Sequence, residues 1–399
     1  MTINLKFKSL LTIALFSGLS SITTACAEEN DIPAPEATAA EAKMSFWDMP
    51  LLETAFIDTA PADRKDRLVV GELGVDGGEK AAIVELAEEI ADGRYGHYDS
   101  LLISHKGKLL FESYYLRGRA NLAHGQASAT KAYTSLALGR AIQLGYLTMA
   151  DLDKPIIGFF DGLDEEKLVE GAEKITLHKV LTMHGGLSVS EDKWEELQQN
   201  PDAIQGQLYV QALLEHSGPI TAESQSYLYG NHNPGLVMAV IDAVVPGTAQ
   251  NFIKTEILNK LGITNYRWPD SVTGLPAPGA RASMTSRDML KLGSVVLNEG
   301  EWNGEQLVSA EYLAKATSGI VKPTEEWMPE GYRYGYFWYQ TPFIVDDKSY
   351  DATFAWGGGG QRVIVVEDLA LTIAITGHDP EDDTIMAQIF ERTLPAFVE

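Results

Sequence analysis

Ser128-Ala129-Thr130-Lys131 places a hydroxyl and an amine three residues apart. On a helix that spacing is one face, so the two groups come within hydrogen-bond reach. A serine hydroxyl is a weak nucleophile until a neighbour takes its proton. A lysine can take it only when burial lowers its pKa. Ser128 follows Gly125-Gln126-Ala127 and heads an apolar run through Leu136, Leu138, Ala141 and Ile142, which supplies such burial. The helix start also offers the Ser128 N–H, and a partial positive charge, to a developing oxyanion. Taken alone, the pair reads equally well as an N-cap followed by a surface lysine. The same spacing recurs at Ser190 and Lys193, inside the charged run Ser-Glu-Asp-Lys-Trp-Glu-Glu, where a solvated helix start is expected.

Two further groups could join Ser128. Tyr229-Gly230-Asn231 is the only Tyr-x-Asn in the chain. A phenol beside a lysine ammonium loses its proton more easily, which suits acid–base work, and the Asn231 amide could orient a substrate carbonyl or hold the lysine. The plainer reading of Tyr229 is a strand-edge residue packed in the core. Ala355-Trp356-Gly357-Gly358-Gly359-Gly360-Gln361 enters a β-branched stretch from Arg362 to Val366. Successive glycines let a substrate lie close to the backbone, and a main-chain N–H there could be a second oxyanion donor. A phosphate loop would need a Lys-Ser/Thr continuation, which is missing. Arg362 could face a substrate carboxylate or point outward.

The elements that must position these residues are strands at both ends and helices between. Ser100–Ile103, Lys106–Lys108 and Leu109–Phe111 read as strand, turn, strand. Arg362–Val366 and Leu369–Thr376 read as a second hairpin across Glu367-Asp368. Helical periodicity marks 132–144, 202–214, 235–245, 287–297 and 383–392. The aromatic run from Tyr332 to Tyr339 alternates like a core strand. The expected architecture is α/β of the α+β type: a central antiparallel sheet flanked by helices, with an inserted all-helical domain. The sheet subdomain is placed at about 98–125 and 280–399, the helical one at about 126–279, within a domain spanning 44–399.

Composition bounds the rest. Hydrophobic residues make up 45% and charged residues 22%, ordinary for a globular chain, while the net charge of −25 disfavours nucleic-acid partners. Residues 1–27 read as a secretory signal, with Lys6 and Lys8 before an apolar run, and the chain is expected to be exported to a periplasm. Ala25-Cys26-Ala27 permits ordinary cleavage after Ala27. Thr23-Thr24-Ala25-Cys26 loosely resembles a lipobox, in which the lone cysteine, Cys26, would carry a lipid anchor to the membrane. Both readings stand. Residues 28–43, rich in Ala, Pro and Glu, read as a flexible tether. The eight histidines form no His-Glu-x-x-His or close ligand pair, so neither a metal nor an organic cofactor is expected. The absence of Gly-x-Ser-x-Gly disfavours an α/β-hydrolase.

The order Ser-x-x-Lys, Tyr-x-Asn and a glycine-rich strand entry resembles the serine beta-lactamase/penicillin-binding superfamily. The chain is most similar to its class C-like branch, including family VIII esterases and 6-aminohexanoate-oligomer hydrolases. Ile175–Leu187, Tyr229–Asn233, Met284–Met289 and Leu297–Gly304 resemble segments of that branch, and the likeness runs from about 98 to 395. It implies the beta-lactamase/transpeptidase-like fold, with Ser128 as nucleophile and Lys131 and Tyr229 handling its proton. Gly358 is implied as the second oxyanion donor, with Gly359 as runner-up, and Gly357 and Asn231 border the substrate. His184-Gly185-Gly186 stands where Thr-Ser-Gly is usual, and is read as structural. Ala355-Trp356-Gly357 lacks the cation of true beta-lactamases and DD-peptidases, and a one-residue shift to Trp356-Gly357-Gly358 resembles the family VIII motif. Loss of the cation favours a small neutral ester or amide substrate. A DD-peptidase, a beta-lactamase and a non-catalytic penicillin-binding-like sensor remain alternatives, and the oligomeric state is left open.

Overall fold

A computed structural model describes residues 33–379 and 384–398. The leader, Cys26 and the first residues of the tether lie outside the described residues, as does Asp383. From Ala34 onward the chain forms one unit.

Its centre is a nine-stranded sheet. The strands are β1 (Phe56–Asp58), β2 (Val69–Val70), β3 (Tyr98–His105), β4 (Lys108–Tyr114), β5 (Arg333–Tyr334), β6 (Tyr339–Val345), β7 (Lys348–Gly357), β8 (Gln361–Val366) and β9 (Leu371–Gly377). Their order is β1-β4-β3-β9-β8-β7-β6-β5, with every neighbour antiparallel; β2 lies parallel beside β4. Strands from the two ends of the chain meet where β3 pairs with β9, Ile103 opposite Ile373. β3, β8 and β9 are buried along their whole length, so both faces are covered. That is why residues 101–103 and 363–366 read as unbroken apolar runs.

Helix α1 (Lys80–Ala91) buries Ile83, Leu86, Ala87 and Ile90 at helical spacing. Between the sheet halves lie α2 (Thr130–Gln143), α3 (Glu191–Gln199), α4 (Gln207–His216) and α5 (His232–Val244), followed by α6 (Ser286–Leu297). Thr285 caps α6 by accepting from the Asp288 N–H, and α6 lies across β8 and β9. Gly293 makes the close approach possible, since a Cβ there would collide with Thr372 and crowd Val363. Helix α2 is buried without a break from Thr130 to Ala141. A helix buried all round belongs to the core, so any polar residue on it is stripped of water.

Two features differ from the sequence reading. The Tyr332–Tyr339 run is not one strand: the chain turns between β5 and β6, with Phe337 at φ 67°. Tyr334, Tyr336, Phe337, Trp338 and Tyr339 are nevertheless all buried. The described part of the 28–43 segment is not a free tether. Ala37 is buried and exchanges backbone hydrogen bonds with the Asn121 side chain at 2.7 and 3.0 Å, while the Ala120 N–H donates to the Pro35 carbonyl. Composition registered flexibility there because it cannot see a distant amide that satisfies the backbone.

Candidate active site

Ser128 sits in a single 3-10 turn, Ala127–Ala129, that runs directly into α2. The turn is over-determined. Gln126 is fully buried, donates from Nε2 to the His124 carbonyl (2.9 Å), accepts from the Tyr133 hydroxyl (2.7 Å) and donates its N–H to the Ala282 carbonyl (2.8 Å). Ala127 adopts a left-handed φ of 44°, unusual for a residue with a Cβ. Such strain persists only where the surroundings enforce it, as they do here.

Lys131, one turn further, has its Nζ 3.2 Å from Ser128 Oγ and donates to the Gly279 carbonyl at 2.9 Å. The side chain is buried on the core helix, and this desolvation pulls its pKa down to about 7. Nζ also lies 4.7 Å from the centre of the Tyr229 ring. The Tyr229 hydroxyl is hydrogen-bonded to Ser128 and to Tyr339. Burial pushes the Tyr229 phenol up, against those two hydrogen bonds, and the nearby Glu325 charge adds to the rise. The expectation of an easily ionised phenol is therefore reversed. Burial drives both groups toward their neutral forms: the Lys131 amine is partly deprotonated at neutral pH, and the phenol holds its proton more tightly than a free tyrosine.

The glycine run forms the tip of the β7–β8 hairpin, with Gly357 opposite Gln361. A side chain on Gly357 would collide with the Gln126 carbonyl and crowd the Ala129 N–H, so the hairpin rests on the Ser128 turn. Gly358 is exposed with open space around it. Gly359, at φ 90°, uses its carbonyl to accept the Asp379 N–H at 3.1 Å. Both glycines lie at the hairpin tip, Gly358 with open space around it and Gly359 with its carbonyl engaged. Arg362 is buried: its Nη1 donates to the Gly357 and Gln361 carbonyls (3.1 and 3.0 Å) and its guanidinium stacks 4.6 Å from the Trp356 ring. It braces the hairpin. Trp356 is flanked by Trp327 at 5.6 Å, and Trp327 reaches the Tyr229 ring at the same distance. Trp327 is half exposed, so an aromatic wall faces solvent where the family resemblance led one to look for a cation.

Asn231 opens α5, and its Oδ1 lies against Gly279, the residue that receives Lys131. Asn231 and Gly279 border a cavity of about 310 Å³ whose walls include Trp194, Tyr209, Met238 and Leu275. A larger one, about 440 Å³, is bordered by Val296, Leu313, Thr353 and Val365 and contains none of these groups. Among the described residues no group of three or more His, Cys, Asp or Glu side chains is arranged to hold a metal ion. His184 Nδ1 donates to the Thr182 carbonyl (2.6 Å) and the ring packs on Tyr227, a structural placement. Gly279, Tyr339 and Trp327 escaped the sequence reading. Each reaches the site through long-range contacts that no local motif records.

Solved structures of this shape agree on the fold. A Bacillus anthracis protein designated a 6-aminohexanoate-dimer hydrolase superposes with a TM-score of 0.59 at 18% identity, covering 86% of this chain and 91% of that one. A class C beta-lactamase gives 0.61 at 14%, covering 80% and 96%. A D-stereospecific amidohydrolase from Streptomyces sp. gives 0.58 at 17%, covering 78% and 98%. Among curated protein sequences, none matches. The beta-lactamase family model matches residues 88–391, which contain every side chain of the site. The chain belongs to the beta-lactamase family.

Proposed function

We propose that the protein is an exported serine hydrolase that cleaves small, uncharged esters or amides through an acyl-enzyme on Ser128. The observation that carries this reading is the buried Lys131 amine, with a pKa near 7, 3.2 Å from Ser128 Oγ. In its neutral form the amine has a lone pair for the Ser128 proton while its own hydrogen stays on the Gly279 carbonyl. Ser128 Oγ bonds to the substrate carbonyl carbon, and its proton passes to Lys131. Tyr229, protonated and hydrogen-bonded to Ser128, relays a proton to the leaving oxygen or nitrogen as that bond breaks. Water then adds to the acyl carbon, gives its proton back through the same pair, and releases the acid with Ser128 restored. The Ser128 and Gly358 N–H groups are the oxyanion donors.

Trp356 and Trp327 beside the glycine hairpin support an uncharged substrate group there, and the largely apolar walls of the cavity beside Asn231, which Arg281 also borders, support an apolar part. Cys26 provides for membrane attachment if it is retained and lipidated; cleavage after Ala27 would free the chain instead. Ser128→Ala tests the reading. It should abolish fluorophosphonate labelling and lower turnover of p-nitrophenyl butyrate by at least about 10³-fold, with an unchanged circular dichroism spectrum. Wild-type turnover by that variant would overturn the assignment. A panel of p-nitrophenyl esters, D-aminoacyl amides and nitrocefin then ranks the substrate classes.

A further inference from the structure

Behind the Ser128 turn and the glycine hairpin lies a carboxylate that takes no part in the steps above. Asp99, on β3, is fully buried. Its Oδ2 accepts from His124 Nε2 at 3.0 Å and from His378 Nδ1 at 2.8 Å, and its Oδ1 accepts from the Arg117 N–H at 3.0 Å. Burial pushes the carboxyl up, but the two imidazoles outweigh it and hold the group below its ordinary range. The other ring nitrogen of His378 faces Arg117 Nη1 at 3.3 Å, so Nδ1 is the one that donates to Asp99. Phe46 packs edge-on against both imidazoles, 4.8 Å from His124 and 5.4 Å from His378.

The two histidines belong to different parts of the chain, and each leads to one side of the oxyanion site. His124 begins the segment His124-Gly125-Gln126-Ala127-Ser128, whose Gln126 is locked by three hydrogen bonds. His378 follows Gly377, whose carbonyl accepts from Gln361 Nε2 at the foot of the glycine hairpin. The next residue, Asp379, donates its N–H to the Gly359 carbonyl. One buried carboxylate therefore holds the segment that leads into Ser128 and the segment that is hydrogen-bonded to the hairpin carrying Gly358. Gly357, packed without a side chain on the Gln126 carbonyl, leaves no slack between them.

We propose that Asp99 is a positioning residue that sets the spacing of the Ser128 and Gly358 N–H groups through its joint hold on His124 and His378. This rests on the serine-hydrolase reading, and the test separates the two. Asp99→Asn keeps the shape but removes the charge and one acceptor. Misplacing preorganised groups by about 1 Å costs on the order of 100-fold. Full-length Asp99→Asn should stay folded and label to full stoichiometry with fluorophosphonate. Its labelling rate constant and kcat should each fall about 100-fold, with KM within about threefold of wild type. A wild-type rate constant overturns the proposal, as does a reduced labelled fraction reacting at the wild-type rate, which would mark a merely structural role. Turnover and labelling that survive in Ser128→Ala overturn the underlying reading, and the proposal with it. Should Asp99→Asn fail to fold, His378→Asn is measured in the same way: a slowed rate constant supports the proposal and an unchanged one overturns it.

Discussion

Ser128/Lys131 and Ser190/Lys193 share one spacing and end in opposite environments. At the second pair the Ser190 hydroxyl caps α3 by accepting the Lys193 N–H, and Lys193 Nζ reaches out to Glu196 at 3.0 Å on an exposed surface. At the first, the serine precedes a helix buried on every side, and its lysine has only a hydroxyl, a carbonyl and a ring face for company. In water an ammonium is fully solvated and holds its proton. In the core the same ammonium has no carboxylate to balance it, and desolvation brings the neutral amine within reach of neutral pH. Spacing permits the contact, while burial without a counter-ion gives it chemical use.

The largest way to break this contrast within the buried site is Tyr229→Phe. It removes the hydroxyl that is hydrogen-bonded to Ser128, and leaves the ring beside Lys131 in place. General acid–base groups contribute about 10²- to 10⁴-fold, so kcat should fall by that order with KM little changed. Loss confined to KM would mean that Tyr229 only binds. The lysine itself sharpens the comparison through pH. With its folded pKa near 7, kcat/KM should rise tenfold per unit below that value and level off above it. The stability linkage has a definite sign. The unfolded Lys131 keeps its proton up to its ordinary pKa, so between about 7 and that value the unfolded chain binds more protons and the residue costs stability. The cost is on the order of 4 kcal/mol at and below neutral pH, shrinks as pH rises from about 7, and is gone above the ordinary lysine pKa. Lys131→Met should accordingly be inactive and melt several degrees higher at pH 7.

What the sequence discloses follows from how local each signal is. The hairpin β3–β4, the pair β8–β9 and helix α6 were legible because their apolar patterns are continuous. β1 and β2 were not: two or three residues give no period, and only pairing with β4 makes them strands. Ser128, Lys131 and Tyr229 could be named because each belongs to a short motif. Asp99 could not, since its significance depends on His124 and His378, the second of them at the far end of the chain. Arg362 was ambiguous in strand alternation. A hairpin tip that needed its carbonyls held decided the matter.

The smallest expected effect lies at the exposed pair and tests whether it is mute. Ser190→Ala removes one N-cap acceptor, worth about 1 kcal/mol to the local helix. In a chain of this size that lowers the melting temperature by no more than about 2 °C. Helix α3 nevertheless carries Trp194, which packs on Tyr209 and His232 and walls the 310 Å³ cavity. Fraying its first turn should therefore leave kcat untouched, because no group near Ser128 moves. If the cavity receives the apolar part of the substrate, KM for p-nitrophenyl butyrate should rise up to about twofold, while that for the acetate stays constant. Equal KM values for both esters in wild type and variant would place the acyl chain elsewhere, against the aromatic wall of Trp327 and Trp356. A fall in kcat would show that the two Ser-x-x-Lys pairs are coupled.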